Sequence, residues 1–150
     1  MSFSAGEVLT ADKLNTLLPG TLVAETIIDT DGTSGTGEIV GASVTASLVS
    51  GRKYRVIFDT NIEGGAVDDR VVVRIRENNV SGTSIQEKNR VILHTSGTIG
   101  NPVRLEAFFT AVSTGAKTFV GTYDTSGLTG VNRAATASAP TLMYVELRVA

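Results

Sequence analysis

The stretch from Val103 to Asp124 constrains this chain most, because it contains two runs of alternating apolar and polar residues with a short break between them. Every second residue from Val103 to Ala111 is apolar, and the alternation resumes after Ser113–Gly115. A period of two is typical of a β-strand with one face on a core. The spacing predicts a long β-hairpin. An isolated hairpin is marginally stable in water, so the rest of the chain must supply a second layer.

The same alternation predicts further strands on both sides of this stretch. They are Thr21–Asp29, Ser43–Leu48, Arg52–Thr60, Asp69–Glu77, a weaker segment Lys88–His94, and Thr141–Val149. About eight short strands separated by Gly, Ser, Asn and Asp predict an all-β fold, an antiparallel β-sandwich of the jelly-roll type. No fixed-period repeat marks a second unit, so residues 21–150 are predicted to form one sandwich domain. The polar stretch Thr125–Ala139 is expected to be an exposed functional loop or a contact with another subunit.

Residues 1–20 are predicted to form an arm with a short helix. Thr10 stands at an N-cap position, three leucines follow on one helical stripe, and Pro19 with Gly20 ends the helix. A helix of about eight residues is shorter than the roughly 12 to 15 needed for marginal stability alone, so it must dock. Its leucines either cover an open end of the chain's own sandwich or anchor the chain to a neighbouring subunit. The predicted anchoring residues are Phe3, Val8, Leu9, Leu14, Leu17 and Leu18.

Composition excludes several classes of function. With 150 residues the chain is the size of one domain, and its net charge of -2 lacks the basic excess expected of a nucleic-acid-binding protein. The absence of cysteine excludes disulfides and thiolate chemistry. No apolar run is long enough for a transmembrane helix, and the N-terminus lacks the pattern of a signal peptide. We therefore expect no nucleic acid or membrane as a partner, and synthesis in the cytoplasm without standard export.

A search for catalytic or metal-binding patterns gives only weak matches. His94 is the one histidine, and a lone histidine at a strand end is more often structural than catalytic, even beside Thr95. The segment around Asp31 begins like a calcium loop but lacks the closing glutamate. Asp68 and Asp69 are adjacent, so in a strand they would point to opposite faces. The chain is predicted not to be an enzyme and to bind no cofactor or metal.

Arg70, Arg74 and Arg76 are predicted to share one face of the Asp69–Glu77 strand. Three cations on one face could bind phosphate or carboxylate groups. Several acidic residues lie close in sequence, Glu63 and Glu87 among them, and they favour cross-strand and intersubunit ion pairs instead.

The N-terminal segment Phe3–Asn15, FSAGEVLTADKLN, resembles the opening F-x-A-G-x-x-L-T-A-x-x-L-N that is common among small structural proteins of tailed bacteriophages, especially those of actinobacteria. Lys13 and Lys53 depart from the usual residues of that group. The resemblance spans nearly the whole chain, since four further segments look similar: Gly51–Val56, Asp69–Glu77, Phe108–Val120 and Tyr144–Glu146.

This resemblance implies a virion protein, either a capsid decoration protein or a minor tail protein. Such proteins are commonly trimeric β-sandwiches whose N-terminal arm holds the particle. The leading hypothesis is a homotrimer that binds the major capsid protein on the outside of the head through residues 3–20 and one sheet edge. A minor tail or tail-fibre protein is the first alternative. A module that binds a host receptor or carbohydrate is another, with Tyr123 and Tyr144 as its candidate sugar-stacking residues.

Overall fold

The computed structural model describes residues 20–30, 32, 37–63, 69–92, 101–124, 132–133, 135 and 137–148. The strands in these residues are β1 (Leu22–Ile28), β2 (Glu38–Leu48), β3 (Lys53–Glu63), β4 (Asp69–Glu77), β5 (Ser84–Ile92), β6 (Asn101–Thr110), β7 (Gly115–Asp124), β8 (Asn132–Arg133) and β9 (Thr141–Leu147). In this part of the chain, no helix has the length and apolar character needed to cross a bilayer.

The strands form two antiparallel sheets that pack as a sandwich. Sheet A has the order β1-β9-β3-β6, with the short β8 also paired to β3, and sheet B has the order β2-β7-β4-β5. The all-β sandwich predicted from the alternating pattern is therefore confirmed. The edge strands are β1 and β6 in sheet A and β2 and β5 in sheet B.

Alternate residues of each long strand fill the space between the two sheets. In β4, whose bounds are those predicted, Val71, Val73 and Ile75 are fully buried, as the sequence pattern indicated. In β3, which belongs to the opposite sheet, Val56 and Phe58 are buried in the same core. The core consists mainly of Val, Leu, Ile and Ala, and a few aromatic rings span its two layers.

The predicted Val103–Asp124 hairpin is wrong, because β6 and β7 belong to different sheets. β6 pairs with β3, whereas β7 lies between β2 and β4. The rings of Phe109 and Phe119 meet with their centroids 5.1 Å apart, so these strands contact each other through side chains in the core. Alternation shows which face of a strand is buried but not which strand is its partner. The four residues Ala111–Thr114 can reach about 13 Å, enough to cross the roughly 10 Å between packed sheets.

Two polar strands differ from the sequence prediction in extent. β2 begins at Glu38 instead of Ser43, and β5 spans Ser84–Ile92 instead of Lys88–His94. Both are edge strands whose polar residues face water, which weakens the alternating pattern. The predicted helix lies outside the described residues and stays a prediction, as does most of the predicted loop Thr125–Ala139.

Candidate functional site

Arg74 and Arg76, two of the three arginines singled out in the sequence, lie on the outer face of sheet B within a cluster of carboxylates. The Nε and Nη2 atoms of Arg76 donate to the two carboxylate oxygens of Glu38 at 2.6 and 2.8 Å. Arg74 lies 3.2 Å from Glu38 and donates to Glu87 at 2.6 Å and to Asp124 at 3.1 Å. Both arginines thus form cross-strand ion pairs within the chain.

Glu38 is the centre of this cluster, and its environment keeps it charged. Burial alone would raise the pKa of the Glu38 carboxyl, but hydrogen bonds from Arg76 and Thr122 and the charge of Arg74 outweigh burial and lower it. Burial likewise opposes the charge of Arg74, yet its hydrogen bonds to carboxylates raise its pKa. Because these donors are engaged within the chain, the cluster serves to cover the sheet. The side chain of Arg70 lies outside the described residues, and intersubunit pairing of the three arginines stays a prediction.

The lowered pKa of Glu38 predicts an acid-sensitive contribution to stability. It is present above the unfolded-state pKa, near 4.5, and is lost as the pH falls through the lower folded-state pKa. We expect Glu38→Gln to reduce the free energy of unfolding at pH 7 by about 2 kcal/mol, a difference that shrinks below about pH 4. Urea denaturation from neutral to acidic pH measures this effect. Glu87→Gln is the control, because its more exposed side chain should contribute less than about 1 kcal/mol. Parallel pH curves for wild type and Glu38→Gln would contradict the assignment.

The outer face of sheet A is covered in a similar way. Ile57 points outward, yet none of its surface is exposed. Its partners in the sheet register are Glu106 on β6 and Tyr144 on β9. The surrounding polar contacts join Arg55 to Glu146 and Glu106, and Arg104 to Asp59, Glu106 and Tyr144. Because Ile57 lies between these residues in the register, their side chains exclude water from it.

The two tyrosines considered for sugar stacking have other roles in the structure. Tyr123 is only 1% exposed and lies in the core. The Tyr144 hydroxyl accepts a hydrogen bond from Arg104 at 3.2 Å, which places this ring in the covering layer of sheet A. Tyr123 therefore offers no surface on which a sugar could stack.

In the part of the chain that the structure describes, no metal-ligand group adds to the weak matches of the sequence. Within the described ranges, no three His, Cys, Asp or Glu side chains are grouped so that they could hold a metal ion. His94 and Thr95 lie outside these ranges.

A different surface stands out at the end of the sandwich beside Gly20. We call it the arm-proximal end, and it comprises residues 20–22, 48–53, 108–115 and 147–148. Backbone hydrogen bonds join its segments: Gly20 donates to Leu147 at 2.7 Å, Gly51 to Ala111 at 2.7 Å, and Ala111 to Arg52 at 2.9 Å. Gly51 adopts a φ of +80°, which favours glycine at this turn. The loops of this end are thus tied into one preformed surface.

The exposed large apolar side chains of the described residues are concentrated at the arm-proximal end. Four of the six lie there, namely Leu22, Val49, Phe108 and Val112, and the other two are Ile27 and Val40. Val112 is 90% exposed. Leu22 and Val49 also line, with Leu147, an apolar groove of about 280 Å³. Scattered exposed apolar residues are common on proteins, but a cluster of them indicates an interaction surface.

A second depression, of about 270 Å³, lies at the same end and combines an aromatic ring with two cations. Lys53, Phe108 and Arg148 line it together with Tyr54, Phe109 and Thr110. The guanidinium carbon of Arg148 is 4.4 Å from the centroid of the Phe108 ring, in a cation–π contact. This depression joins positive charge to exposed apolar surface.

Sequence reasoning missed the arm-proximal end, although a signal was present. Valine directly precedes small turn-forming residues in both of its loops, at Val49-Ser50-Gly51 and at Val112-Ser113-Thr114. An apolar residue in a turn cannot be explained by strand burial. The predicted anchoring residues Phe3, Val8, Leu9, Leu14, Leu17 and Leu18 lie outside the described residues, so anchoring stays a prediction.

Comparisons with known proteins concern the fold. No family model matches the chain, and no curated protein matches it. Among solved structures, 88% of this chain matches 13% of the chain of dimeric latent PorU from Porphyromonas gingivalis, with a TM-score of 0.51 and 12% identity. A CBM4 structure matches 83% of this chain over 94% of its own, with a TM-score of 0.40 and 12% identity. The VP2 subviral particle of infectious bursal disease virus matches 85% of this chain over 35% of its own, with a TM-score of 0.40 and 13% identity. At such identities the likeness to PorU shows a shared fold alone.

Proposed function

We propose that this chain is a structural protein of a tailed-bacteriophage virion, a capsid decoration protein that binds the outside of the major capsid shell as a homotrimer. In this proposal the N-terminal arm and the arm-proximal end face the particle, and the sandwich has jelly-roll topology. The two four-stranded paths, β1-β9-β3-β6 and β2-β7-β4-β5, support that topology. The role stabilises the shell and requires no catalysis.

The clustering of exposed apolar residues at one end carries the proposal. Leu22, Val49, Phe108 and Val112 lie at the same end of the sandwich as Gly20, the residue that follows the N-terminal segment in the sequence. A chain that attaches through an apolar arm would gain from an apolar surface at the base of that arm, since both could contact one partner. The resemblance of Phe3–Asn15 to the opening of phage structural proteins supports a virion partner, and the capsid is the one proposed here.

The two outer faces support a structural role. The Glu38 cluster covers sheet B, and the layer around Arg104 covers sheet A, so each face is held by cross-strand ion pairs. A rigid module of this kind can multiply weak contacts by symmetry, and several copies acting together strengthen attachment by roughly 10² to 10⁴.

Immunogold electron microscopy of intact virions tests the proposal, with an antibody raised against the full chain. We expect gold distributed over the heads. Gold confined to the tail or its tip would overturn the decoration role in favour of a minor tail protein. Purified virions without gold, when the same antibody detects the free chain in the lysate, would overturn the virion assignment.

A further inference from the structure

We propose that the depression formed by Lys53, Phe108 and Arg148 binds an acidic segment of a protein partner, in which a carboxylate lies beside an apolar side chain. This inference rests on the proposed function, because it specifies the chemistry of the surface that meets the arm-proximal end.

The charges of the described residues provide the first reason. On the two outer faces, carboxylates pair with Arg55, Arg74 and Arg104. Lys53 and Arg148 have no carboxylate within ion-pair distance among the residues that the structure describes. Their segments are joined, since the Arg148 amide donates to the Lys53 carbonyl at 2.9 Å. Two cations that line one depression, without a carboxylate partner in the described part of the chain, favour an incoming anion.

The stacking of Arg148 on Phe108 provides the second reason. A guanidinium that lies over a ring keeps the N–H donors at its edge available, and their fork geometry matches a carboxylate. Phe108 is 55% exposed, so part of its surface remains open to an apolar group. The pair can therefore bind a carboxylate and, at the same time, the hydrocarbon part of the residue that carries it or of its neighbour.

The lining of the depression favours a protein over an acidic sugar. None of its six lining residues, Lys53, Tyr54, Phe108, Phe109, Thr110 and Arg148, has a carboxylate or carboxamide that could bind sugar hydroxyls from both sides. Two other depressions at this end are lined in part by exposed apolar residues, Leu22 and Val49 in one and Val112 in the other. Exposed apolar side chains at the same end as a cationic depression complement a protein surface.

Titration of the fluorescently labelled full chain onto empty shells of the major capsid protein tests this inference. We expect the double variant Lys53→Glu and Arg148→Glu to bind at least about tenfold more weakly, and to lose most of the salt dependence that the wild type shows between about 50 and 300 mM. Phe108→Ala should also weaken binding. Lys88→Glu is the matched control, because Lys88 is an exposed lysine on β5 with no carboxylate partner in the described chain. Its affinity should stay within about twofold of the wild type.

The possible failures are distinguishable. Wild-type binding to shells that the double charge reversal leaves unchanged would overturn the inference and leave the proposed function standing. Absence of wild-type binding to shells would overturn both. A separate titration with trigalacturonic acid tests whether the depression binds an acidic sugar instead of a protein segment. Suppose that the wild type binds trigalacturonic acid, that Phe108→Ala and Arg148→Glu each abolish this binding, and that both variants keep the wild-type affinity for shells. This result would assign the depression to acidic sugars and overturn the inference. Circular dichroism of each variant checks folding, and Lys53→Gln with Arg148→Gln replaces any charge-reversal variant that does not fold.

Discussion

Replacing Gly121 with alanine is expected to lower the free energy of unfolding by about 3 kcal/mol, at the upper end of the usual range for overpacking. Gly121 lies in the central strand β7, opposite Phe58 of sheet A. A Cβ atom at Gly121 would lie 2.4 to 2.6 Å from three atoms of the Phe58 ring, which is far inside van der Waals contact. The ring is fully buried and cannot move aside without displacing other core residues.

Gly41 offers a graded comparison, because it lies near the same ring with more room. A Cβ atom there would be 3.1 Å from the nearest atoms of Phe58 and Tyr123. We expect Gly41→Ala to cost less than Gly121→Ala in urea denaturation. Combining Gly121→Ala with Phe58→Leu should cost less than the sum of the two single changes, since the smaller side chain vacates the space that the new methyl needs. Additive costs would show that the close approach of Phe58 to Gly121 is not the cause.

The same pair illustrates how far the fold can be predicted from the sequence. Alternation placed Phe58 on the buried face of its strand, and burial of Val71, Val73 and Ile75 followed from the same rule. Nothing in the pattern shows that the space for the Phe58 ring comes from a glycine 63 positions later in the chain. The alternating pattern does not predict which strands pair either, because β6 and β7 have the alternation of a hairpin and yet lie in opposite sheets.

The candidate site was predictable to a smaller extent. The arginine row on β4 was recognised, but which carboxylates cover Arg74 and Arg76 depends on the strand order, in which β7 lies beside β4 and β2 lies beside β7. The arm-proximal end unites segments from both ends of the chain and from two of its loops. No local sequence pattern predicts a surface assembled from such distant segments. Only the valines before its turns, Val49 and Val112, indicate it locally.

Deletion of residues 2–18 is expected to abolish attachment to capsid shells while the sandwich remains folded. The hydrogen bonds described next to the first strand involve residues that follow the deleted segment. The Gly20 amide donates to the Leu147 carbonyl at 2.7 Å, and the Leu147 amide donates to the Thr21 carbonyl at 3.0 Å. β1 therefore keeps its pairing with β9 without the deleted residues. In a multivalent assembly the affinity lost by each copy is multiplied over all copies that bind together. The affinity for shells should therefore fall more than about 100-fold.

Point variants test whether the leucine side chains of the arm, and not only its length, are needed for attachment. Replacement of Leu14, Leu17 and Leu18 by serine should reproduce the loss of attachment, because these leucines form the apolar stripe of the predicted helix. Asp12→Ala with Thr16→Ala alters the opposite side of that helix and should preserve attachment. Shell sedimentation measures binding, and circular dichroism with thermal unfolding measures the fold. If the deletion or the serine variant unfolds the protein, the leucines belong to the core of their own sandwich, and the apolar surface around Leu22 and Val49 is where they would pack.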